Sequence, residues 1–591
     1  MVHLRDQMRR DTPEAWQNLP TNGRFSLLLP FLFNRYHDEA AYASMAHEIL
    51  RHGVPRNPWW PEERGFGSWI QNCVALYPLA GLSWLFDGNM TAAWCLGVAL
   101  IGAGWLLLFY RVFYWWSQKS EVALPLALFC ALFPDVNMWL LDINFNPRIN
   151  FERYAAAFFQ HQANLRPHFY RLPSGFLTLF LMCWLFLGVW RLLCEERKRT
   201  LPAMVLGAGV ALLAWVHPFE FVFGMATLMV LFFAHWIWPA HAARKWNITA
   251  AFLTALPVGF FCMGLISHTV NPQAWHEHLE LLGIEYTRRP YLITAIHLIF
   301  AGGGFYLFSR EKDPKRRAAW LFLTCAQIAI FLCRNQHVLL GFTVEPFHYI
   351  PLGSLLGALM LYLCLSDWMA SSRNWTPRAG AVACGVILCW ALFNEKTSAE
   401  RMYRMFGMPQ EKEAAFDWAR ENIPGDALLL STSMMTNEAI PLYTNAQVFG
   451  APLGLITTPF TLDAYFKKMA VLLKSCHADA ERFITQRWLL PETRHALQAQ
   501  TVIEQHELGE VNLRNFDAEE WFYSFHRDFK TFEGVRRRQD EFRKDIEDAK
   551  PLEGPYYVWL DSDDASLLTG PLEKYGGARV FGNGAVSIYR F

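Results

Sequence analysis

The stretch Met90–Tyr110, MTAAWCLGVALIGAGWLLLFY, has no charged residue anywhere along its length. A helix needs about 20 mostly apolar residues to cross the hydrocarbon core of a bilayer. The stretch therefore predicts a membrane-spanning helix, and similar stretches follow it along the chain. They lie near Val122–Leu141, Ser174–Leu193, Leu201–Val216, Phe219–Trp238, Ile248–Ser267, Tyr291–Ser309, Ala318–Cys333, Ile350–Leu365 and Ala379–Phe393. The predicted fold is an α-helical polytopic membrane bundle of about ten or eleven spans.

The composition agrees with a membrane protein. Hydrophobic residues make up 53% of the 591 residues and charged residues 18%, whereas a soluble domain has about 25% charged residues. Basic and acidic residues are equal in number, 53 each, so net charge gives no indication of nucleic-acid binding. Cys476 is the only cysteine after residue 394, which excludes a disulfide framework in that part.

Basic residues in the short loops predict the orientation of the bundle. Cytoplasmic loops carry an excess of Lys and Arg, and alternate gaps between the apolar stretches carry them here. These residues are Arg111, Lys119, Arg197, Lys198, Arg199, Arg244, Lys245, Lys312, Lys315, Arg316, Arg317, Arg373 and Arg378. The opposite, outer face would hold the segment before Met90, the loop 142–173, the His217-Pro218 turn, the loop 268–289, the loop 334–349 and everything after residue 394.

Two points of this topology stay open in the sequence. The apolar runs on either side of His217-Pro218 form either one long kinked helix or two passes, and their combined length favours two passes. An eleventh span should precede residue 38, because Arg5, Arg9 and Arg10 resemble a cytoplasmic segment. The candidate, Phe25–Phe33, is short and contains Pro30.

The character of the chain changes near residue 395, where apolar runs shorten and charge rises. We predict a transmembrane domain over 1–394, with outer loops 34–89 and 142–173, and an extracytoplasmic α/β domain over 395–591. A helix, a turn and a buried strand are predicted from EKEAAFDWARENIPGDALLLSTS, a further strand from GPYYVWLDSD, and a terminal hairpin at Asn583-Gly584. The charged stretch 515–550 favours a helix.

The first candidate site lies in the outer segment Asn34–Gly53, NRYHDEAAYASMAHEILRHG. Its apolar residues recur at helical spacing, which puts Asp38 and Glu39 at a helix N-terminus just outside the membrane. In one interpretation Asp38 only caps the helix and Glu39 only offsets its dipole. In the other, Asp38 is a general base that takes a proton from an acceptor hydroxyl, with Glu39 and His37 tuning it or orienting the substrate.

The segment resembles the first outer loop of the GT-C-type membrane glycosyltransferases, which include protein O-mannosyltransferases and lipid A aminoarabinose transferases. Those families place an acidic motif there, followed by an interfacial helix. The matching residues are Asp38, Glu39, Tyr42, Ala46 and Gly53. The many spans and the C-terminal α/β domain extend the resemblance, whereas the weak first span departs from it. Some members need a divalent cation, Mg²⁺ or Mn²⁺, and the resemblance leaves open whether this chain does.

The loop 142–173 is the second candidate, because it is rich in arginine on the outer face, against the positive-inside rule. Arginine binds phosphate through a planar fork of donors, and it would stabilise the lipid phosphate that leaves a polyprenyl-phosphate sugar. The alternative is pairing with lipid headgroups or with Glu152 and Asp142. The candidate binding residues are Arg148, Arg153, Arg166, His168 and Arg171.

Polar residues at the outer ends of the spans form the third candidate set. Ionisable groups near membrane depth usually face a cavity, although helix ends also tolerate polar anchors. In the families that the chain resembles, an Arg or His in the late outer loops contacts the lipid phosphate, and Arg334 and His348 match. The whole set is His217, Glu220, Arg334, His337, Glu345 and His348.

Together these features predict an inverting glycosyltransferase of the cytoplasmic (inner) membrane, with its C-terminal domain periplasmic or extracellular. It would move a sugar from a polyprenyl-phosphate donor to a lipid, glycan or protein acceptor on the outer face, with Asp38 as the general base. One alternative is a transporter or flippase of a lipid-linked or small polar solute. Another is a non-catalytic assembly protein that acts through its C-terminal domain.

Overall fold

The computed structural model describes part of the chain and places the candidate residues on its helices. The described residues are 37–54, 56–60, 73–133, 136–137, 140–141, 174–237, 242–268, 284–344, 348–406, 410–425, 427–451, 461–486 and 532–591. The Phe25–Phe33 candidate span and the loop 142–173 lie outside these residues.

Helices coincide with each of the predicted apolar stretches. They are α3 (Met90–Ser117), α4 (Ser120–Leu132), α5 (Ser174–Cys194), α6 (Thr200–Leu212), α7 (Pro218–Ile237), α8 (Ala242–His268), α9 (Ala295–Arg310), α10 (Pro314–Arg334), α12 (Tyr349–Ser371) and α13 (Pro377–Phe406); α1 (His37–His52) and α2 (Cys73–Trp84) precede them, and the short α11 (His337–Leu340) follows α10. Among the described residues, seven helices are long and apolar enough to cross a membrane. The chain is therefore a multi-pass membrane protein with the predicted α-helical bundle.

Three of the apolar helices are shorter, and α4 is the clearest case. It has 13 residues, which span about 20 Å and not the roughly 30 Å of a hydrocarbon core. The predicted stretch continued to Leu141, but Pro134 lies just beyond the helix end, and the residues before a proline are disfavoured in helical conformation. This helix covers the first part of the predicted stretch, and residues 136–137 beyond Pro134 are again helical.

The chain turns back at His217-Pro218, as the two-pass interpretation predicted. α6 tightens into a 3₁₀ turn, Leu213–Trp215, and α7 begins at Pro218. A side chain added at Gly224 would lie 2.7 Å from Val210, whereas 14 residues of continuous helix would separate them by about 21 Å. α6 and α7 are therefore two passes packed side by side.

The basic gaps meet at one end of the bundle. The Lys119 ammonium donates to the Ala370 carbonyl (2.6 Å), and Arg316 forms an ion pair with Asp367. Similar contacts join Arg199 with Asn247, Arg244 with Glu196, and Trp375 with Glu121. The gaps that the charge pattern assigned to one face therefore lie together, and we call this the basic end.

The C-terminal part and the segment before α3 lie at the opposite end. α13 has 30 residues, about 45 Å of helix, and begins at the basic end, where Gly380 lies against Glu121. At the far end α1 packs on α15 (Met434–Tyr443) of the C-terminal part. The Lys468 ammonium lies 4.2 Å from the centre of the Trp60 ring, a second contact between the two segments. The predicted division at residue 394 falls inside α13.

A four-stranded sheet forms the centre of the C-terminal part. Its order is β3 (Leu428–Ser431), β4 (Tyr556–Asp561), β6 (Val586–Arg590), β5 (Ala578–Gly582). β3 and β4 are parallel and the other pairs antiparallel. Asn583 Oδ1 accepts from the backbone N–H of Ala585 and of Val586, so the predicted hairpin turn is confirmed. The C-terminal part also contains the helices α14 (Gln410–Asn422), α16 (Leu462–Ser475), α17 (Ala480–Gln486) and α18 (Phe532–Asp548). Outside the C-terminal part, β1 (Ile284–Glu285) pairs with β2 (Thr343–Val344).

Candidate active site

The acidic pair of the sequence lies at the predicted position on α1. His37, Asp38 and Glu39 form the first turn of this helix, although their side chains are outside the described part of the structure. Further along α1, Ala43 and Ala46 are fully buried. The helix N-terminus itself attracts negative charge, so the backbone alone favours carboxylates here.

The interface of α1 with the C-terminal part is polar. Glu48 is 5% exposed and pairs with Arg51 (3.1 Å) and with His52 (3.4 Å). Burial lowers the pKa of His47 to about 4, and the cationic neighbours Arg51, Arg420 and His52 act in the same direction, against the Asn445 side chain. His47 is therefore neutral at neutral pH, and it lies on the side of α1 that faces the C-terminal part.

A second group of polar residues lies where α7 and α12 begin. Pro218 occupies the first position of α7, where its missing N–H costs nothing, and His217 Nδ1 pairs with the Glu220 carboxylate one turn on. Glu220 is 4% exposed. His348 stacks on Phe219 with ring centres 4.3 Å apart, and its ring centre lies 5.3 Å from that of His217. The structure thus brings three predicted residues, His217, Glu220 and His348, into one group.

Arg334 ends α10 at the same end of the bundle. It is 6% exposed, and its Nη1 lies 3.4 Å from His297 Nε2. His297 Nδ1 is in turn 2.8 Å from Gln327 Oε1. A guanidinium at this depth is unusual and expensive unless it is paired, so its presence favours an anionic ligand or a built polar network.

Tyr349 connects these two groups. It is 2% exposed, its ring centre lies 5.4 Å from that of Phe219, and its hydroxyl makes a hydrogen bond with the Gln336 side chain. Phe219 also stacks on His348, and Gln336 follows Arg334 by two residues, so the start of α12 contacts the ends of both α7 and α10. We call His217, Glu220, Arg334 and His348 the outer polar cluster.

His337 lies just beyond the end of α10, in the short helix α11. It is fully buried, its Nε2 lies 2.8 Å from the Arg289 carbonyl, and its ring packs on Tyr291 at 4.4 Å. The Arg288 guanidinium donates to the carbonyls at the end of α11. His337 therefore ties the segment before α9 to the turn after α10.

Several candidates lie outside the described residues, and their predicted roles stay predictions. They are Arg148, Arg153, Arg166, His168, Arg171 and Glu345. The start of the arginine-rich loop is nevertheless fixed, because the Leu141 backbone N–H donates to Ser354 Oγ in α12 (3.1 Å). Leu141, the residue before this loop, thus lies about 9 Å along α12 from His348.

An apolar cavity lies between α3, α5, α10 and α12, deeper in the bundle. Trp105, Phe186, Phe322 and Leu355 are among the side chains around it. Its lining runs from Cys183 and Leu355, nearer the middle of α5 and α12, to Trp190 and Ala319, nearer the basic end. A cavity of this kind suits a hydrocarbon chain and offers little to a polar solute.

Sequence reasoning missed His297 and Gln327, which lie inside predicted spans. Both are fully buried, and ionisable or amide side chains within a span are themselves a signal of a functional or packing role. Among the described residues, no group of three or more His, Cys, Asp or Glu could hold a metal ion.

Neither a comparison with protein-family models nor one with curated proteins finds a match. Solved structures do match. ArnT from Cupriavidus metallidurans in the apo state is 12% identical, with 93% of each chain covered and a TM-score of 0.44; the same protein bound to undecaprenyl phosphate is 12% identical over 94% of this chain and 93% of that one, at 0.45. The archaeal oligosaccharyltransferase AglB from Archaeoglobus fulgidus, in complex with an inhibitory peptide and a dolichol-phosphate, is 11% identical over 93% of this chain and 70% of that one, at 0.37.

Proposed function

We propose that this protein is a membrane glycosyltransferase that moves a sugar from a polyprenyl-phosphate donor to an acceptor at the outer end of its bundle. One observation carries the proposal. The helix that bears Asp38 and Glu39 packs on the C-terminal part, at the same end of the bundle as the buried Arg334. The residues proposed as the base and as the phosphate-binding cation would thus share one end with the C-terminal part.

In the proposed reaction Asp38 takes the proton of the acceptor hydroxyl while the oxygen of that hydroxyl attacks C1 of the sugar. The bond from C1 to the phosphate oxygen breaks, and its electron pair stays on the lipid phosphate. Arg334 stabilises that developing charge, because a guanidinium in a site with little water acts strongly on an oxyanion. One displacement with one base inverts the configuration at C1.

The lipid part of the donor fits the described residues. Undecaprenyl phosphate and a dolichol-phosphate are the lipids bound in two of the similar structures, and we propose a lipid of this class here. The apolar cavity would receive part of the prenyl chain, since burying each CH₂ group contributes about 0.8 kcal/mol. His348, stacked on Phe219 beside His217, would lie near the phosphate.

The acceptor, the arginine-rich loop and any metal extend the proposal. The acceptor, a lipid, a glycan or a protein, would enter between α1 and the C-terminal part, on the periplasmic or extracellular side of the inner membrane. Arg148, Arg153, Arg166, His168 and Arg171 would add positive charge around the donor phosphate. A divalent cation, Mg²⁺ or Mn²⁺, would bind at Asp38 and Glu39, because carboxylate oxygens are its preferred ligands; EDTA treatment followed by Mg²⁺ addition tests this.

The decisive experiment compares wild type with Asp38→Asn in membranes supplied with a polyprenyl-linked sugar donor. We expect the variant to lose sugar transfer by at least about 100-fold, the usual contribution of a general base, while its thermal midpoint is unchanged. Asp87→Asn, a change at an outer carboxylate between α2 and α3, is the matched control and should remain active. Full activity of Asp38→Asn would reduce Asp38 to a helix cap and overturn the proposed mechanism.

A transporter or flippase is the second candidate function. It predicts a polar path through the bundle, whereas the cavity described above is walled by apolar side chains. Proteoliposomes that contain the purified chain distinguish the two functions. Movement of a labelled lipid-linked sugar between leaflets, without any transfer product, would favour the transporter.

A further inference from the structure

His297 is a buried histidine inside α9 that the proposed reaction does not use. It is 0% exposed and lies among residues of two other helices: Gln327 and Arg334 of α10, and Gly353 of α12. An imidazole in the interior of a membrane bundle is costly to bury and needs partners. The hydrogen bonds around the ring determine which of its two nitrogens carries the proton.

The direction of the hydrogen bonds follows from Gln327. Its Nε2 donates to the Gly353 carbonyl (3.0 Å), and an amide nitrogen can only donate. The amide oxygen of Gln327 therefore faces His297, and His297 Nδ1 must carry the proton that it accepts (2.8 Å). In the neutral ring the other nitrogen, Nε2, is then an acceptor, and it faces Arg334 Nη1.

The position of the ring is fixed by close packing as well as by these bonds. A side-chain carbon added at Gly353 would lie 2.5 Å from His297 Cε1 and 2.8 Å from Ile330. The imidazole thus lies directly against the backbone of α12, and glycine is needed there. The Arg334 guanidinium contacts His297, His297 contacts Gln327, and Gln327 donates to the Gly353 carbonyl.

We propose that His297, held by Gln327, is a positioning residue that orients the Arg334 guanidinium for the lipid phosphate. The inference rests on the proposed function for the identity of that anion. The neutral imidazole accepts one N–H of the guanidinium and adds no positive charge that would compete for the ligand. A cation that is already oriented loses less side-chain entropy on binding.

The competing interpretation is that His297 and Gln327 only join α9, α10 and α12, as polar residues do between membrane helices. The two interpretations differ in what they predict for a double variant. A residue that acts only through Arg334 has no effect on ligand binding once Arg334 is gone. A residue that acts only through packing lowers stability in either background.

The test measures binding of undecaprenyl phosphate to the purified full chain in detergent, together with the thermal midpoint. The variants are His297→Leu, Arg334→Met and the double variant, and His297→Gln restores an acceptor for the guanidinium. We expect each single variant to bind about tenfold more weakly, as for a lost hydrogen bond to a charged group. The double variant should bind like Arg334→Met, and His297→Gln should recover part of the loss.

His235→Gln is the matched control, because His235 is also buried in a membrane helix, α7, but lies near the basic end. It should bind the lipid like wild type. If His297→Leu binds like wild type while Arg334→Met does not, or if the two losses add in the double variant, the positioning role is wrong and the proposed function stands. If Arg334→Met itself binds normally, the phosphate role of Arg334 fails and the inference fails with it.

Discussion

The interface between α1 and the C-terminal part should weaken in mild acid, because of His47. Its pKa in the folded protein is about 4, against 6.5 for an unperturbed histidine. A lowered histidine pKa means that the unfolded chain binds the proton first. The stabilising contribution is therefore complete above about pH 6.5 and is lost as the pH falls from there toward 4.

The size of the effect follows from the two pKa values. Between pH 8 and pH 5 the unfolded chain takes up most of one proton at this site and the folded chain very little. With 1.36 kcal/mol per unit of pKa shift, the loss of folding free energy is about 2 kcal/mol by pH 5. The cations Arg51 and Arg420 and the partner His52 face His47 and lower its pKa, whereas Asn445 opposes them.

The assay is the thermal midpoint of the detergent-solubilised chain between pH 8 and pH 5, for wild type, His47→Gln and His47→Phe. Both replacements are neutral over this range, so their midpoints should fall less on acidification than that of wild type. Burial also lowers the pKa of His477, which stacks on Tyr575 elsewhere in the C-terminal part. The comparison is therefore repeated in the His477→Asn background, where the difference between His47 and its replacements should persist. Equal pH dependence in wild type and both His47 variants would refute this reasoning.

Two further predictions concern the membrane helices. Gly207→Ala should lower the thermal midpoint and reduce the free energy of unfolding by about 1–3 kcal/mol, because the added carbon would lie 2.0 Å from the Ala251 carbonyl oxygen. Gly302→Ala is the control, since its added carbon meets nothing within 4 Å. Equal midpoints for the two variants would contradict the α6–α8 contact. Asn89→Ala should lower the free energy of unfolding by about 1 kcal/mol, because the Asn89 side chain caps α3 by accepting from the Ala92 N–H. Asn89→Ser keeps a capping oxygen and should retain most of that stability in a denaturation experiment. An unchanged midpoint in Asn89→Ala would argue against the cap.

Much of the fold was predictable because its signals are local. Apolar length located the membrane helices, and Asn583-Gly584 located the terminal hairpin. The lengths of some helices were not predictable in the same way. α4 ends before Pro134 although the apolar stretch continues, because backbone conformation and not hydrophobicity ends a helix there.

The candidate site was predictable in part. His217, Glu220 and His348 were found as polar residues at the ends of spans, and the structure brings them together. His337 has the same sequence signal but contacts the Arg289 carbonyl and Tyr291. His297 and Gln327 were missed because a polar residue within an apolar run changes the average hydropathy very little. Asp38 and Glu39 keep their predicted place on α1, and their catalytic role is a proposal.

The sequence by itself determined that the chain crosses a membrane and which gaps lie at one end, because hydrophobic length and loop charge act residue by residue along the chain. Only the tertiary structure decided that the Arg334 guanidinium meets the His297 ring and that α1 packs against the C-terminal part. Such contacts join residues far apart in the chain. Their direction depends on helix rotation and side-chain packing, which no local pattern records.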